Sequence, residues 1–125
     1  MSCHKESKLV AIVDDDDSVR GTLQELLRSA GFSSRAFDSA EAFLGSGHHP
    51  ETACLITDIR MPGMSGLELQ AKLNSERCRI PTIFITAHGD EEMRLQALRA
   101  GAVEFLPKPF DDEVLIESVR AALER

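Results

Sequence analysis

The apolar positions of this chain alternate between short unbroken runs and a helical spacing, five times over. Leu9 to Val13 is apolar throughout, as a strand buried on both faces should be. From Ser18 the period becomes helical: Val19, Leu23, Leu26, Leu27 and Ala30 share one face, and Gly31 follows as a stop. Ser33 to Phe37 reads as a second, weaker strand near a sheet edge. Ser39 caps a short helix through Leu44 that ends at Gly45-Ser46-Gly47. Ala53 to Thr57 is a third strand, and Met61-Pro62-Gly63-Met64-Ser65-Gly66 is turn chemistry. Leu67 to Glu76 is helical, with Leu69 and Leu73 one turn apart. Pro81 to Thr86 is the most strand-like stretch, and Asp90 to Ala100 is a helix stopped by Gly101. Ala102 to Leu106 is a fifth strand, after which Lys108-Pro109 breaks the chain. Asp111 caps a last helix that turns Leu115, Val119, Ala122 and Leu123 inward.

Strands alternating with helices over short connections imply a parallel sheet with helices on both faces, hence an α/β fold. Five strands suit the doubly wound order 2-1-3-4-5, in a single five-stranded sheet like that of flavodoxin and the chemotaxis receiver. The 125 residues fit one domain, 1–125, with no linker, repeat or low-complexity segment. Lacking Trp and Tyr, the core must be filled by Val, Ile, Leu, Phe and Ala. No apolar run is long enough to span a bilayer, and Met1 to Lys8 has no signal-peptide character. The three cysteines, Cys3, Cys54 and Cys78, have no CxxC spacing, and their odd number argues against a disulfide framework, so a reducing cytoplasm is the expected home. A net charge of −7 weighs against direct contact with nucleic acid, which needs a basic surface.

In a sheet of this order, ligands bind beyond the carboxyl ends of the strands, where the order reverses. Strand one ends in Asp14 and Asp15, strand three in Asp58 and strand four in Thr86, and Lys108 follows strand five. Three carboxylates, a hydroxyl and an ammonium therefore converge at one rim. At roughly 5 Å and an effective dielectric of about 20, each carboxylate pair repels by on the order of 3 kcal/mol, which one lysine offsets only in part. A hard divalent cation with oxygen ligands relieves the rest, and Mg²⁺, which shares its coordination shell with phosphate, fits best. Metal and lysine together suit a phosphoryl group. A carboxylate can itself accept that group, and Asp58, central in the sheet, is the geometric candidate. Thr86 can donate a hydrogen bond to a phosphate oxygen.

The strings Ile12-Val13-Asp14-Asp15, Thr57 to Gly66, Phe84-Ile85-Thr86-Ala87 and Lys108-Pro109-Phe110 resemble, in order and spacing, the signature of response-regulator receiver domains. The likeness runs from Lys8 to the end of the chain. Ala36 to Leu44, His88-Gly89-Asp90 and Gly101 to Leu106 further resemble the FixJ-type branch of that family. The resemblance implies that Asp58 is phosphorylated by a histidine kinase. It also implies that Asp15, Asp58 and the backbone carbonyl of Arg60 bind Mg²⁺ directly, with Asp14 acting mostly through metal-bound water. Lys108 would hold the phosphate, ahead of a cis peptide to Pro109. Thr86 and Phe105 would form a coupled switch pair, and Arg60, Ala87 and His88 would border the phosphate and set its lifetime. It implies, too, that the chain is the N-terminal part of a longer transcription regulator. Such a regulator dimerises through helix four and strand five when phosphorylated and touches DNA only through a further C-terminal domain.

Taken singly, several of these residues have plainer readings. Asp17 and Ser18 suit the N-cap of the first helix. Thr86 is an ordinary strand end, Lys108 a surface lysine and Phe105 a core residue until their partners are considered together. His48-His49 reads as a polar loop, Cys54 as a small core residue and Glu91-Glu92 as charge favoured by a helix N-terminus. An aspartate-nucleophile phosphatase would show a DxDxT string, but Asp14 to Ser18 lacks the threonine. A dinucleotide enzyme would show GxGxxG after strand one, which is absent. A pseudo-receiver would lack part of the phosphorylation set, and here every member is present.

Overall fold

The structure, a computed structural model, describes residues 9–47, 51–78, 80–87 and 90–124. Ten elements alternate as expected: β1 (Leu9–Val13), α1 (Asp17–Ser29), β2 (Ser33–Phe37), α2 (Ala40–Gly45), β3 (Thr52–Asp58), α3 (Gly66–Ser75), β4 (Thr82–Thr86), α4 (Glu91–Arg99), β5 (Glu104–Pro107) and α5 (Asp112–Leu123). All four strand pairings are parallel, in the order β2-β1-β3-β4-β5. β2 lies at an edge, and its residues are half-buried or exposed, which explains its weak pattern.

Alternate residues of the central strands feed different layers. Val10, Ile12, Cys54, Ile56, Ile83 and Ile85 pack against Leu23 and Leu27 of α1 and Leu115, Val119 and Ala122 of α5. On the opposite face, Ala11, Val13 and Leu55 meet Ala40 and Phe43 of α2 and Leu69 and Leu73 of α3. A smaller group, built on Ile59, Phe84 and Ala97 with Met93 and Phe105 beside it, seats α4. Cys54 is a free, buried core residue.

Three boundaries correct the sequence expectation. The N-cap of α1 is Asp16, not Asp17 or Ser18: its carboxylate accepts from the Ser18 and Val19 amides at 2.8 and 3.3 Å. β5 begins at Glu104 rather than Ala102, because the Ala102 amide closes the end of α4 on the Ala97 carbonyl. β3 runs from Thr52 and includes Asp58 itself. His48 and His49 lie outside the described residues.

Helix α3 starts with a reciprocal capping box. The Ser65 hydroxyl accepts from the Glu68 amide, and the Glu68 carboxylate accepts from the Ser65 amide. Its first residue, Gly66, lies against β3. A Cβ there would collide with the Asp58 carbonyl oxygen and come within 3.1 Å of the Asp58 carbonyl carbon and Ile59 Cα. Those atoms are backbone and have no rotamer with which to retreat. Gly66→Ala is expected to lower stability by about 3 kcal/mol, the upper end for overpacking, measured as a fall in the urea midpoint. An unchanged midpoint would show that α3 shifts freely.

Candidate phosphoacceptor site

The strand ends bring the acidic residues together at the rim where the order reverses between β1 and β3. Carboxylate oxygens of Asp14, Asp15 and Asp58 all lie within 4.8 Å of one another. Asp14 is fully buried and Asp58 nearly so, while Asp15 is exposed. Lys108 reaches in from beyond β5. Its Nζ donates to Asp14 Oδ2 at 3.0 Å and to Asp58 Oδ2 at 2.9 Å. The Lys108 amide donates to the Thr86 carbonyl at 2.9 Å, and the Lys108–Pro109 peptide is cis.

Backbone donors hold the second carboxylate oxygen of Asp58 and of Asp14. Asp58 Oδ1 accepts from the amides of Ile59 at 2.6 Å and Arg60 at 3.3 Å. Asp14 Oδ1 accepts from the Asp16 amide at 2.9 Å, and the Arg20 guanidinium donates to the Asp14 carbonyl at 2.8 Å. Thr86, buried at the end of β4, shares a face of the sheet with Phe84 two residues before it, and Phe84 is the register partner of Phe105. The Phe84 and Phe105 rings are 6.3 Å apart. Arg60 and Ala87 are exposed beside the cluster; His88 lies outside the described residues.

Burial pushes the Asp14 carboxyl above its ordinary value, and the Asp58 charge adds to that. The Asp16 amide and Lys108 pull it down, but not far enough to reverse the shift. For Lys108, burial works against the ammonium, yet its hydrogen bonds and charge attraction to Asp58 and Asp14 prevail, and its pKa is raised. Lys108 therefore stays charged across the physiological range. Among the described residues the donor set is entirely hard oxygen, and three carboxylates gather around one ammonium. That chemistry fits a divalent cation of the Mg²⁺ type and not a zinc centre.

The sequence reading did not foresee two residues that shape this site. Gly66 permits α3 to close on the Asp58 backbone. Glu41 accepts from the Met64 amide at 2.8 Å, across 23 residues of chain. Both lie in strings that resemble the family, but neither was assigned a role from the sequence.

Together, the fold and the acidic rim define a receiver domain. The family model described as response regulator receiver domain matches residues 10–120, and the chain belongs to that family. More particularly, it is of the FixJ type. It is 46% identical over 120 residues to the transcriptional regulatory protein FixJ of Azorhizobium caulinodans, covering 96% of this chain and 57% of the relative. To nodulation protein W of Bradyrhizobium diazoefficiens it is 47% identical over 117 residues, covering 94% and 52%. It superposes on the crystal structure of FixJ-N with a TM-score of 0.85 at 44% identity, covering 96% of each chain. With the response regulator StyR the TM-score is 0.86 at 49% identity, covering 94% of this chain and 60% of the other. The chain thus spans about half the length of the curated relatives it matches.

The upward shift of Asp14 has a measurable consequence. A carboxyl whose pKa is raised on folding leaves the folded state holding more protons than the unfolded one. Stability therefore falls as pH climbs from 3.8 through the raised value, and the penalty persists at neutrality. In EDTA at pH 7, Asp14→Asn is expected to raise the thermal midpoint by about 4 °C, on the order of 1 kcal/mol. The gain shrinks as pH falls toward 3.8. A variant less stable than wild type at pH 7 would contradict this account.

Proposed function

We propose that this chain is a phosphorylation-driven signalling switch that takes a phosphoryl group from a histidine kinase onto Asp58. One observation carries the reading: Lys108 Nζ bridges Asp14 and Asp58 while Asp15 closes the same acidic cluster. Asp14, Asp15, Asp58 and the Arg60 carbonyl would hold Mg²⁺. When bound, the metal neutralises charge that spreads over the phosphoryl oxygens in transfer. The Asp58 carboxylate attacks phosphorus with an oxygen lone pair, the bond from phosphorus to the donor's imidazole nitrogen breaks, and that nitrogen leaves with the electron pair of the broken bond. The Ile59 and Arg60 amides hold the Asp58 carboxylate in one orientation during attack. Lys108, already charged and hydrogen-bonded to Asp58 Oδ2, balances the incoming phosphate.

The Thr86 hydroxyl then donates to a phosphate oxygen, and Phe105, on the same sheet face, adjusts to the space it leaves. The change reaches α4 and β5, the surface through which the phosphorylated chains dimerise. The catalysis is limited to the chain's own phosphorylation and dephosphorylation; it is not a classical enzyme. Output passes to a DNA-binding domain C-terminal to this one, in keeping with relatives nearly twice as long that are named as transcriptional regulators. Cytoplasmic residence belongs to the same proposal, because both the phosphodonor and the DNA target lie there.

Incubation with acetyl phosphate and Mg²⁺, followed by intact-mass analysis, tests this. Wild type is expected to gain one phosphoryl group, and EDTA or Asp58→Asn is expected to abolish the gain. No adduct on wild type, or an adduct that survives Asp58→Asn, overturns the reading. Arg60 and His88 set the lifetime of the phosphorylated form. Arg60→Ala and His88→Ala are each expected to change the decay rate of the isolated phosphoprotein by about threefold or more, some 0.7 kcal/mol in barrier. Decay at the wild-type rate in both variants removes that role.

A further inference from the structure

We infer that Glu41 is a positioning residue for the metal-binding side of this site, acting through the loop between β3 and α3. The inference rests on the proposed Mg²⁺-dependent phosphorylation. Residues 59–65 connect the phosphoacceptor to α3, and two fastenings set their path. At the neck, the Gly66 amide donates to the Ile59 carbonyl at 2.9 Å. At the tip, Glu41 Oε2 accepts from the Met64 amide at 2.8 Å.

The tip is shaped for that contact. Gly63 has a φ of +80°, a left-handed conformation that turns the following amide toward α2. A Cβ on Gly63 would lie 2.7 Å from Glu41 Oε2 and 3.3 Å from its carboxyl carbon, so the carboxylate lies directly against the loop backbone. Met61 and Met64 pack into the cluster that contains Ala40 and Phe43, the neighbours of Glu41 in α2. Hydrophobic contact presses the loop onto α2, and Glu41 fixes its rotation there. A hydrogen bond to an ionised acceptor is shorter and stronger than a neutral one.

Arg60 lies between the two fastenings. Its amide donates to Asp58 Oδ1, and its carbonyl is the proposed backbone ligand for the metal. Peptide planes are rigid, so a loop pinned at both ends has few ways to rotate that carbonyl. A loop released at the tip loses this restraint. Glu41 itself never meets substrate or metal in this scheme. It preorganises a ligand, as outer-shell partners do at metal sites.

Isothermal titration with Mg²⁺ reads this without reference to turnover. Relative to wild type, Glu41→Ala is expected to weaken Mg²⁺ binding about tenfold, the low end of the loss seen for an outer-shell partner. Glu41→Gln, which keeps an acceptor oxygen without the charge, is expected to recover most of it. With acetyl phosphate as donor, Glu41→Ala should require more Mg²⁺ for half-maximal phosphorylation yet reach nearly the wild-type rate at saturation. Hydrogen exchange at the Met64 amide should quicken in Glu41→Ala while the thermal midpoint barely moves. If Glu41→Ala binds Mg²⁺ like wild type, the positioning role fails and the phosphorylation reading stands. If Glu41→Gln is as weak as Glu41→Ala, the effect is long-range charge, and the role fails again. If wild type binds no Mg²⁺ and gains no phosphoryl group, the underlying reading fails and takes this inference with it.

Discussion

The rest of the architecture answers to a single ammonium shared between two carboxylates. Parallel strands end side by side at one rim, and this chain ends two of them in aspartates that repel. β5 lies two strand spacings, about 9.5 Å, from β3, so no short side chain reaches across. Lys108 does so from the connection after β5, its amide tied to the Thr86 carbonyl at the end of the intervening strand and its Nζ bonded to Asp14 and Asp58. The bridge is incomplete. The Asp14 carboxyl remains raised above its ordinary value, and exposed Asp15 adds a third negative charge that Lys108 does not contact. A site held in this state favours whatever brings positive charge to hard oxygen ligands. Under the proposed function, a dianionic phosphoryl group would be accepted only with that charge in place. The burial that raises the Asp14 carboxyl thus works against its ionised form.

Much of this was legible in the sequence because parallel sheets expose their chemistry in simple positions. Apolar runs marked β1, β3 and β4, so the strand-end positions of Asp14, Asp15, Asp58 and Thr86 could be read from the sequence, Thr86 gaining weight only beside its partners. Contacts between residues remote in sequence were much less visible. Nothing in the string Ser39-Ala40-Glu41 indicates an acceptor for the Met64 amide, since the pair forms only once α2 and the β3–α3 loop are packed together. Gly66 looked like one more turn residue, but its missing Cβ is needed for the approach of α3 to the Asp58 backbone. At the start of α1, Asp16, Asp17 and Ser18 all suit an N-cap by residue type. Backbone direction after the buried Asp14 decides for Asp16, whose φ and ψ of −91° and 115° are extended. The start of β5 was misjudged because Ala102 and Val103 are apolar yet bond to the Ala97 and Thr82 carbonyls on the way into the strand.

The three apolar clusters are unequal, and the smallest of them seats α4. α1 and α5 bury Leu23, Leu27, Leu115, Val119 and Ala122 against the sheet, and α2 and α3 bury Ala40, Phe43, Leu69 and Leu73. α4 buries only Ala97 completely, with Met93 and Phe105 partly covered beside it. Its firmest attachments are polar and gather at its C-terminal end, where the side-chain amides of Gln70 and Asn74 donate to the Ala97 and Ala100 carbonyls at 3.2 and 3.0 Å. Elements with few buried apolar contacts open at lower free energy than the core. The end of α4 away from those bonds follows β4, whose last residue is Thr86. The proposed rearrangement at Thr86 would therefore meet its least resistance in α4. The more tightly packed helices α1, α3 and α5 would keep the carboxylates and Lys108 in register during such a change.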